Sequence, residues 1–345
     1  MKLLRWIAVL LSTALLLPLV PARAADAAQF ADVPETHWAY ESVRAATQYG
    51  LVNGVSARTF GLGQPLTRAQ YCAMLCRLMG WPEVLPDEPT FSDNRDRTAW
   101  YYGAVETAYA EGALLKLSAE CKPNEPLPRE EMAAMTVRAL GYAGLAGTVQ
   151  DDCPFSDVST NRGYIALAYH MGIMGGVSAR SFSPKTASTR EQAASVLLRV
   201  YERLHAETER LPLSAMPPDT AVYAAALSDT SGRIPMCPRA PLESVYDAAV
   251  AAGAGGAVAL RTAPWAATVR DGTVLSETAL TREELAELLA DADAAVYRSA
   301  RYGSSYLIRA EEDGSQTVVW YETEEDVALK VGLCRLLGVK AVYIE

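Results

Sequence analysis

Three arginines recur at a fixed step. Arg68, Arg129 and Arg190 are each separated by 61 residues. Arg68 and Arg190 follow a Thr that opens an apolar-periodic run, and Arg129 follows Pro128, so each sits at the first position of an expected helix. The macrodipole is positive there and disfavours a cation. One such charge is noise, but three at equivalent positions point to an anion near each helix start. Backbone N–H groups and a guanidinium would together grip a carboxylate or phosphate. The alternative is an ion pair with an acid of a neighbouring unit, such as Asp32, Asp93 or Asp157.

Other chemistry is sparse. Only three His occur (His37, His170 and His205), too few for a His-rich metal site. No Ser-His-Asp set, phosphate loop or dinucleotide fingerprint is present, and no cofactor is expected. Asp291/Asp293 and Glu311-Glu312-Asp313 read as solvated helix-end and turn charges rather than an acid pair. Trp265 and Trp320 could stack on a sugar, although core packing suits them better.

The elements that would position the arginines belong to an internal repeat. GVSARTF at 54–60 returns as GVSARSF at 176–182, and Phe-x-Asp begins each unit at Phe30, Phe91 and Phe155. Each unit reads as helix, loop, helix. Thr67 with Gln70, and Thr189 with Gln192, form capping boxes, while Tyr71, Met74, Leu75 and Leu78 make an apolar stripe. Units this short share one core. The expected division is repeat 1 at 28–89, repeat 2 at 90–150, repeat 3 at 151–207, a linker at 208–220, and an α/β segment at 221–345.

Residues 1–24 read as a secretory signal peptide, with Lys2 and Arg5, an apolar run, and Ala22-Arg23-Ala24 before the cleavage point. Export permits disulfides, yet the six Cys are scattered without a CxxC and read as buried thiols, a Cys121–Cys153 bridge being the one pairing left open. No later stretch is long and apolar enough for a membrane span. The net charge of −10 argues against nucleic acid as a partner.

FADVPETHWAY (30–40), GLVNGVSARTFG (50–61) and LTRAQYCAML (66–75) carry a resemblance to S-layer homology modules, as do FSD…AWYYGAV with LPREEMAAM and FSDV…GIMGGVSARSFSP with STREQAA. The resemblance implies an all-α, pseudo-threefold spindle that binds an anionic, often pyruvylated, secondary cell-wall polymer or peptidoglycan. It maps the family's arginine onto Arg68, Arg129 and Arg190 and its early Trp onto Trp38. Where the family has Asp-Gly, this chain has Ala57-Arg58 and Ala179-Arg180, which brings Arg58 and Arg180 near the expected groove. The second unit replaces the Gly-rich loop with LLKLSAECKPNEPL, and the third lacks the early His-Trp. One or two competent grooves are therefore expected.

Beyond the linker, 221–227, 256–262, 317–321 and 339–344 read as strands alternating with helices, a pattern implying parallel pairing, with a further helix at 280–292. The order PLESVYDAAV, GAVALRTAPWAATV, then VVWYETEEDVALKVGL resembles the last part of a glycoside hydrolase family 18 barrel with its small α+β insertion. That family needs an Asp-x-x-Asp-x-Glu run for catalysis, and none occurs here; of its Met-x-Tyr-Asp feature only Asp229 remains. A partial barrel leaves apolar edges that its subdomain, the repeat body, a partner or a second copy must cover. The sequence thus reads as an exported, non-enzymatic cell-envelope protein held to the wall, its last third a glycan-binding or interaction segment. A wall-anchored glycosidase acting on peptidoglycan or chitin-like glycans and a structural S-layer subunit are the alternatives.

Overall fold

A computed structural model describes residues 30–216, the backbone of 222–224, and 240–345. The expected signal peptide, Cys237 and Asp229 lie outside the described residues. Each repeat supplies two helices: α1 (Tyr40–Gln48) and α2 (Arg68–Met79), α3 (Tyr102–Ala110) and α4 (Arg129–Ala139), then α6 (Arg162–His170) and α7 (Arg190–Leu204), with a single turn α5 (Ala143–Ala146) near the end of the second repeat. The second helix of each repeat packs on the first helix of the next: α2 on α3, α4 on α6, and α7 back on α1. No repeat completes its own core. Tyr71 of α2 is fully buried and its hydroxyl meets Thr136 Oγ1 of α4 at 2.5 Å. As the sequence indicates, Thr67 accepts the Gln70 N–H while Gln70 Oε1 accepts the Thr67 N–H at 3.1 Å.

The expectation of an all-α spindle is overturned. The segments that enter the second helices pair with one another as β-bridges: Pro65 with Thr189, Thr67 with Pro126, and Pro128 with Ala187. A closed ring of backbone bonds runs Leu66 N–H to Ser188 O, Ser188 N–H to Leu127 O and Leu127 N–H to Leu66 O, each 2.8 Å. These buried amides lie ahead of the helices and have no local partner, so each repeat satisfies the next. The chain as a whole is mixed α/β, with two sheets.

The first sheet is parallel, in the order β1 (Glu209–Pro212), β9 (Ala341–Ile344), β3 (Ala257–Leu260), β2 (Val222–Ala224). Its edge strand β1 lies in the segment read as linker. The second sheet is antiparallel, in the order β5 (Thr273–Ala279), β4 (Trp265–Arg270), β8 (Gln316–Tyr321), β7 (Ser304–Ala310), β6 (Ala294–Ser299). Strand 317–321 therefore belongs to an antiparallel sheet, not to the parallel set in which its βα context placed it. Helices α8 (Leu242–Ala252) and α10 (Glu324–Leu336) pack on each other; α9 (Arg282–Ala290) packs against β6.

The repeat body covers much of this segment. Val245, Ala249, Val331 and Leu333 share one buried cluster with Ile165, Leu167 and Leu197. Tyr142 donates its hydroxyl to Leu329 O at 3.0 Å, and His170 Nδ1 meets the Tyr246 hydroxyl. At Gly144 a Cβ would stand 2.1 Å from Ala300 O, so only glycine lets the β6–β7 turn approach α5. Cys72, Cys76, Cys121, Cys153 and Cys334 are free thiols, so Cys121 and Cys153 are not bridged.

Candidate functional site

The Phe-x-Asp aspartates do not pair with the arginines. Asp32 accepts the N–H groups of Phe60, Gly61 and Leu62 at 2.7–3.0 Å, and Asp93 accepts those of Cys121 and Lys122. Asp157 accepts the Ser181 hydroxyl and the amides of Phe182 and Ser183. Burial works against the Asp32 carboxylate, yet its three amides together hold its pKa below the usual value. The Ser181 hydroxyl and then the Phe182 amide hold Asp157 down at about 2. Each aspartate ties the loop of its own repeat to the start of that repeat.

The arginines clamp the same loops from a neighbouring repeat. Arg190 donates Nε–H to Phe60 O at 2.9 Å and Nη2–H to Asn53 O at 2.6 Å, with its guanidinium over the Phe60 ring. Arg129 repeats this with Phe182 O at 3.0 Å, Gly175 O at 2.8 Å and the Phe182 ring. Burial pushes both guanidiniums below their ordinary pKa; around Arg190 the Arg77 charge adds to the effect. Arg68 differs. Its Nη1 donates to Cys121 O and Lys122 O, while Nε and Nη2 form a fork to Glu131 at 2.5 and 2.7 Å, which raises its pKa. The ion pair with a neighbouring repeat's acid allowed for in the sequence thus exists once, the acid being Glu131 rather than a Phe-x-Asp aspartate.

Three pseudo-equivalent grooves result. The first, about 390 Å³, is walled by Asn53, Gly54, Gln70, Arg77, Trp100 and Arg190. The third, about 350 Å³, is walled by Trp38, Arg129, Gly175, Gly176, Gln192 and Arg199. Each joins parts of all three repeats, and neither has an acidic residue in its lining. The loop must run close to the body: a Cβ on Gly54 or Gly176 would come within 2.5 Å of Phe30 or 2.4 Å of Phe155. Trp100 and Trp38 stand 64% and 61% exposed at the rims, open to a stacked ring. The second groove, about 280 Å³, holds Arg68 and Arg138 with Glu120, Glu130 and Glu131, and is lined by Asn161 without a Trp.

Of the residues singled out in the sequence, Arg129, Arg190 and Trp38 line the two acid-free grooves, and Arg68 lines the second. Arg58 and Arg180 are exposed and outside the lining of all three. Trp265 and Trp320 face each other across β4 and β8, are 6% and 5% exposed, and pack in the apolar cluster of the antiparallel sheet rather than at a ligand-accessible face. Asp291 and Glu311 pair with Arg309, and Asp313 with Arg270. Sequence reasoning missed Trp100, Arg77 and Arg199. The signal was present: Thr98-Ala99-Trp100 parallels Thr36-His37-Trp38, and Arg77, Arg138 and Arg199 recur at the same step of 61.

A separate buried pair lies in the α/β segment. Glu322 Oε1 accepts from Lys330 Nζ at 2.5 Å and from Ser304 Oγ at 2.8 Å. Burial pushes the Glu322 carboxyl up to about 7 and Lys330 down, against their mutual attraction. Among the described residues no group of three or more His, Cys, Asp or Glu could hold a metal, and no helix is long and apolar enough to cross a membrane.

Residues 29–72 and 154–194 match the S-layer homology domain family. The chain carries S-layer homology domains at these two segments and is a secreted, cell-surface protein. It is 34% identical over half its length to an endoglucanase of Bacillus sp. strain KSM-635, of which it covers 18%. It is 25% identical over 54% of its length to an S-layer protein of Bacillus thuringiensis subsp. finitimus, of which it covers 23%. The chain thus spans less than a quarter of these curated relatives. A spore cortex-lytic enzyme of Bacillus cereus, SleL, superposes with a TM-score of 0.29 at 13% identity, covering 33% of this chain and 28% of that one.

Proposed function

We propose that the chain is a non-catalytic envelope protein held to the cell wall by an anionic secondary polymer seated in the first and third grooves. The observation that carries this reading is the pairing of two guanidiniums without a lining carboxylate, Arg77 with Arg190 and Arg129 with Arg199, beside an exposed Trp. A carboxylate-bearing sugar satisfies both features, since the acid meets the guanidiniums and the ring lies on the indole. The α/β segment rides on this anchor as an interaction or glycan-binding module. Its lack of an Asp-x-x-Asp-x-Glu run supports the non-catalytic reading.

Co-sedimentation with purified walls tests this. Binding is expected to native walls, to fall after the acidic polymer is stripped, and to fall in Trp38→Ala/Trp100→Ala. Equal binding to stripped walls would overturn the proposal. Release of reducing ends from peptidoglycan or chitin oligomers, abolished by substituting a single acid, would overturn its non-catalytic part.

A further inference from the structure

The three grooves are built from equivalent positions, yet the buried arginine of the second is already occupied. Gln70, Glu131 and Gln192 stand at the same step of 61 residues. Gln70 and Gln192 are held at home, each accepting the N–H of its N-cap Thr, at 3.1 and 3.3 Å. The N-cap of α4 is Pro128, which has no N–H to offer. Glu131 is thereby released from the capping box, and its carboxylate turns onto the fork of Arg68. In the first and third grooves the equivalent guanidiniums donate Nε and Nη2 to loop carbonyls and have no carboxylate partner among the described residues.

We infer that Glu131 is a built-in counter-ion that fills the anion seat of the second groove and so fixes the number of competent anion sites at two. The inference rests on the wall-polymer reading and adds its specificity determinant. The neighbouring charges agree. Glu130 is satisfied by Lys185 and by the Thr160 hydroxyl at 2.6 Å, leaving Glu131 as the acid on Arg68. The second cation of the groove is retained: Arg138 lies over the Tyr164 ring, with its Nε buried and unpartnered. Neutralising Glu131 would therefore leave Arg68 and Arg138 together, the other lining acids being Glu130, held by Lys185 and Thr160, and the solvent-exposed Glu120.

The test counts sites by titration calorimetry of the full chain with a methyl glycoside bearing a pyruvate ketal. The wild type is expected to bind two equivalents and Glu131→Gln three, while Glu131→Asp, which keeps the charge, stays at two. The reciprocal variant Thr67→Pro/Gln70→Glu recreates the arrangement in the first groove and is expected to drop the count from two to one. A wild-type count of three overturns the inference, as does a folded Glu131→Gln that still binds two, or a folded reciprocal variant that keeps both sites. A wild type that binds neither this probe nor native walls instead overturns the wall-polymer reading itself.

Discussion

The two arginines of each acid-free groove have separable jobs, and this yields a sharp expectation. Arg77 is exposed, with no hydrogen-bond acceptor among the described residues, and Arg199 is exposed with one bond, to Ile173 O at 3.0 Å. Replacing both with Gln should change stability by no more than about 0.5 kcal/mol, as for surface positions generally. A charge-assisted hydrogen bond to a ligand carboxylate is worth about 1.5–3 kcal/mol, so each groove should lose about 10- to 100-fold in affinity. Arg190→Gln should behave differently. It removes the donors to Phe60 O and Asn53 O from a buried clamp, at a cost of about 3 kcal/mol, or about 6–12 °C in Tm for a body of this size. Thermal melts and calorimetry on the same variants read both quantities. If Arg77→Gln/Arg199→Gln binds the acidic sugar as tightly as wild type, or melts as early as Arg190→Gln, the reading that the exposed arginines serve the ligand alone while the buried ones also hold the loop is wrong.

Four further outcomes follow from the packing. Lys330→Met strands Glu322 in the interior and should cost about 3–5 kcal/mol in denaturant melts, whereas Lys330→Met/Glu322→Leu should recover most of it. In the wild type the Glu322 pKa is raised from 4.5 to about 7, so its contribution favours the fold most below pH 4.5 and declines as pH rises towards 7; stability–pH curves of wild type and Glu322→Gln should diverge across that window. Asp157, held at about 2 against a usual 3.8, works in the opposite sense: its anchoring of the third loop should persist well below pH 3.8 and fail as pH falls through 2, read by exchange of the Phe182 and Ser183 amides. Gly144→Val forces a side chain into Ala300 O and should destabilise the docked β6–β7 turn by about 1–3 kcal/mol, visible as faster proteolysis there.

Much of the repeat body was legible because it rests on local chemistry. The period of 61, the capping boxes and the apolar stripes are all short-range patterns. The α/β segment was less so. Residues 209–212 look like a Pro-bounded linker, and only pairing with β9, more than 130 residues away, makes them a strand. Strand 317–321 sits in a βα sequence context, yet its partners β4 and β7 run antiparallel.

The sequence by itself determined that equivalent arginines stand at three helix starts and that one repeat departs from the others. Tertiary structure decided what those arginines do, because their partners come from other repeats. Carbonyls from a loop 130 and 137 residues away turn Arg190 into a clamp, and a carboxylate 63 residues away neutralises Arg68. Periodicity along a chain fixes which side chains are equivalent. Whether a charge is free or spent depends on the desolvated neighbours that folding brings to it, and those are set by the cyclic packing of the three repeats.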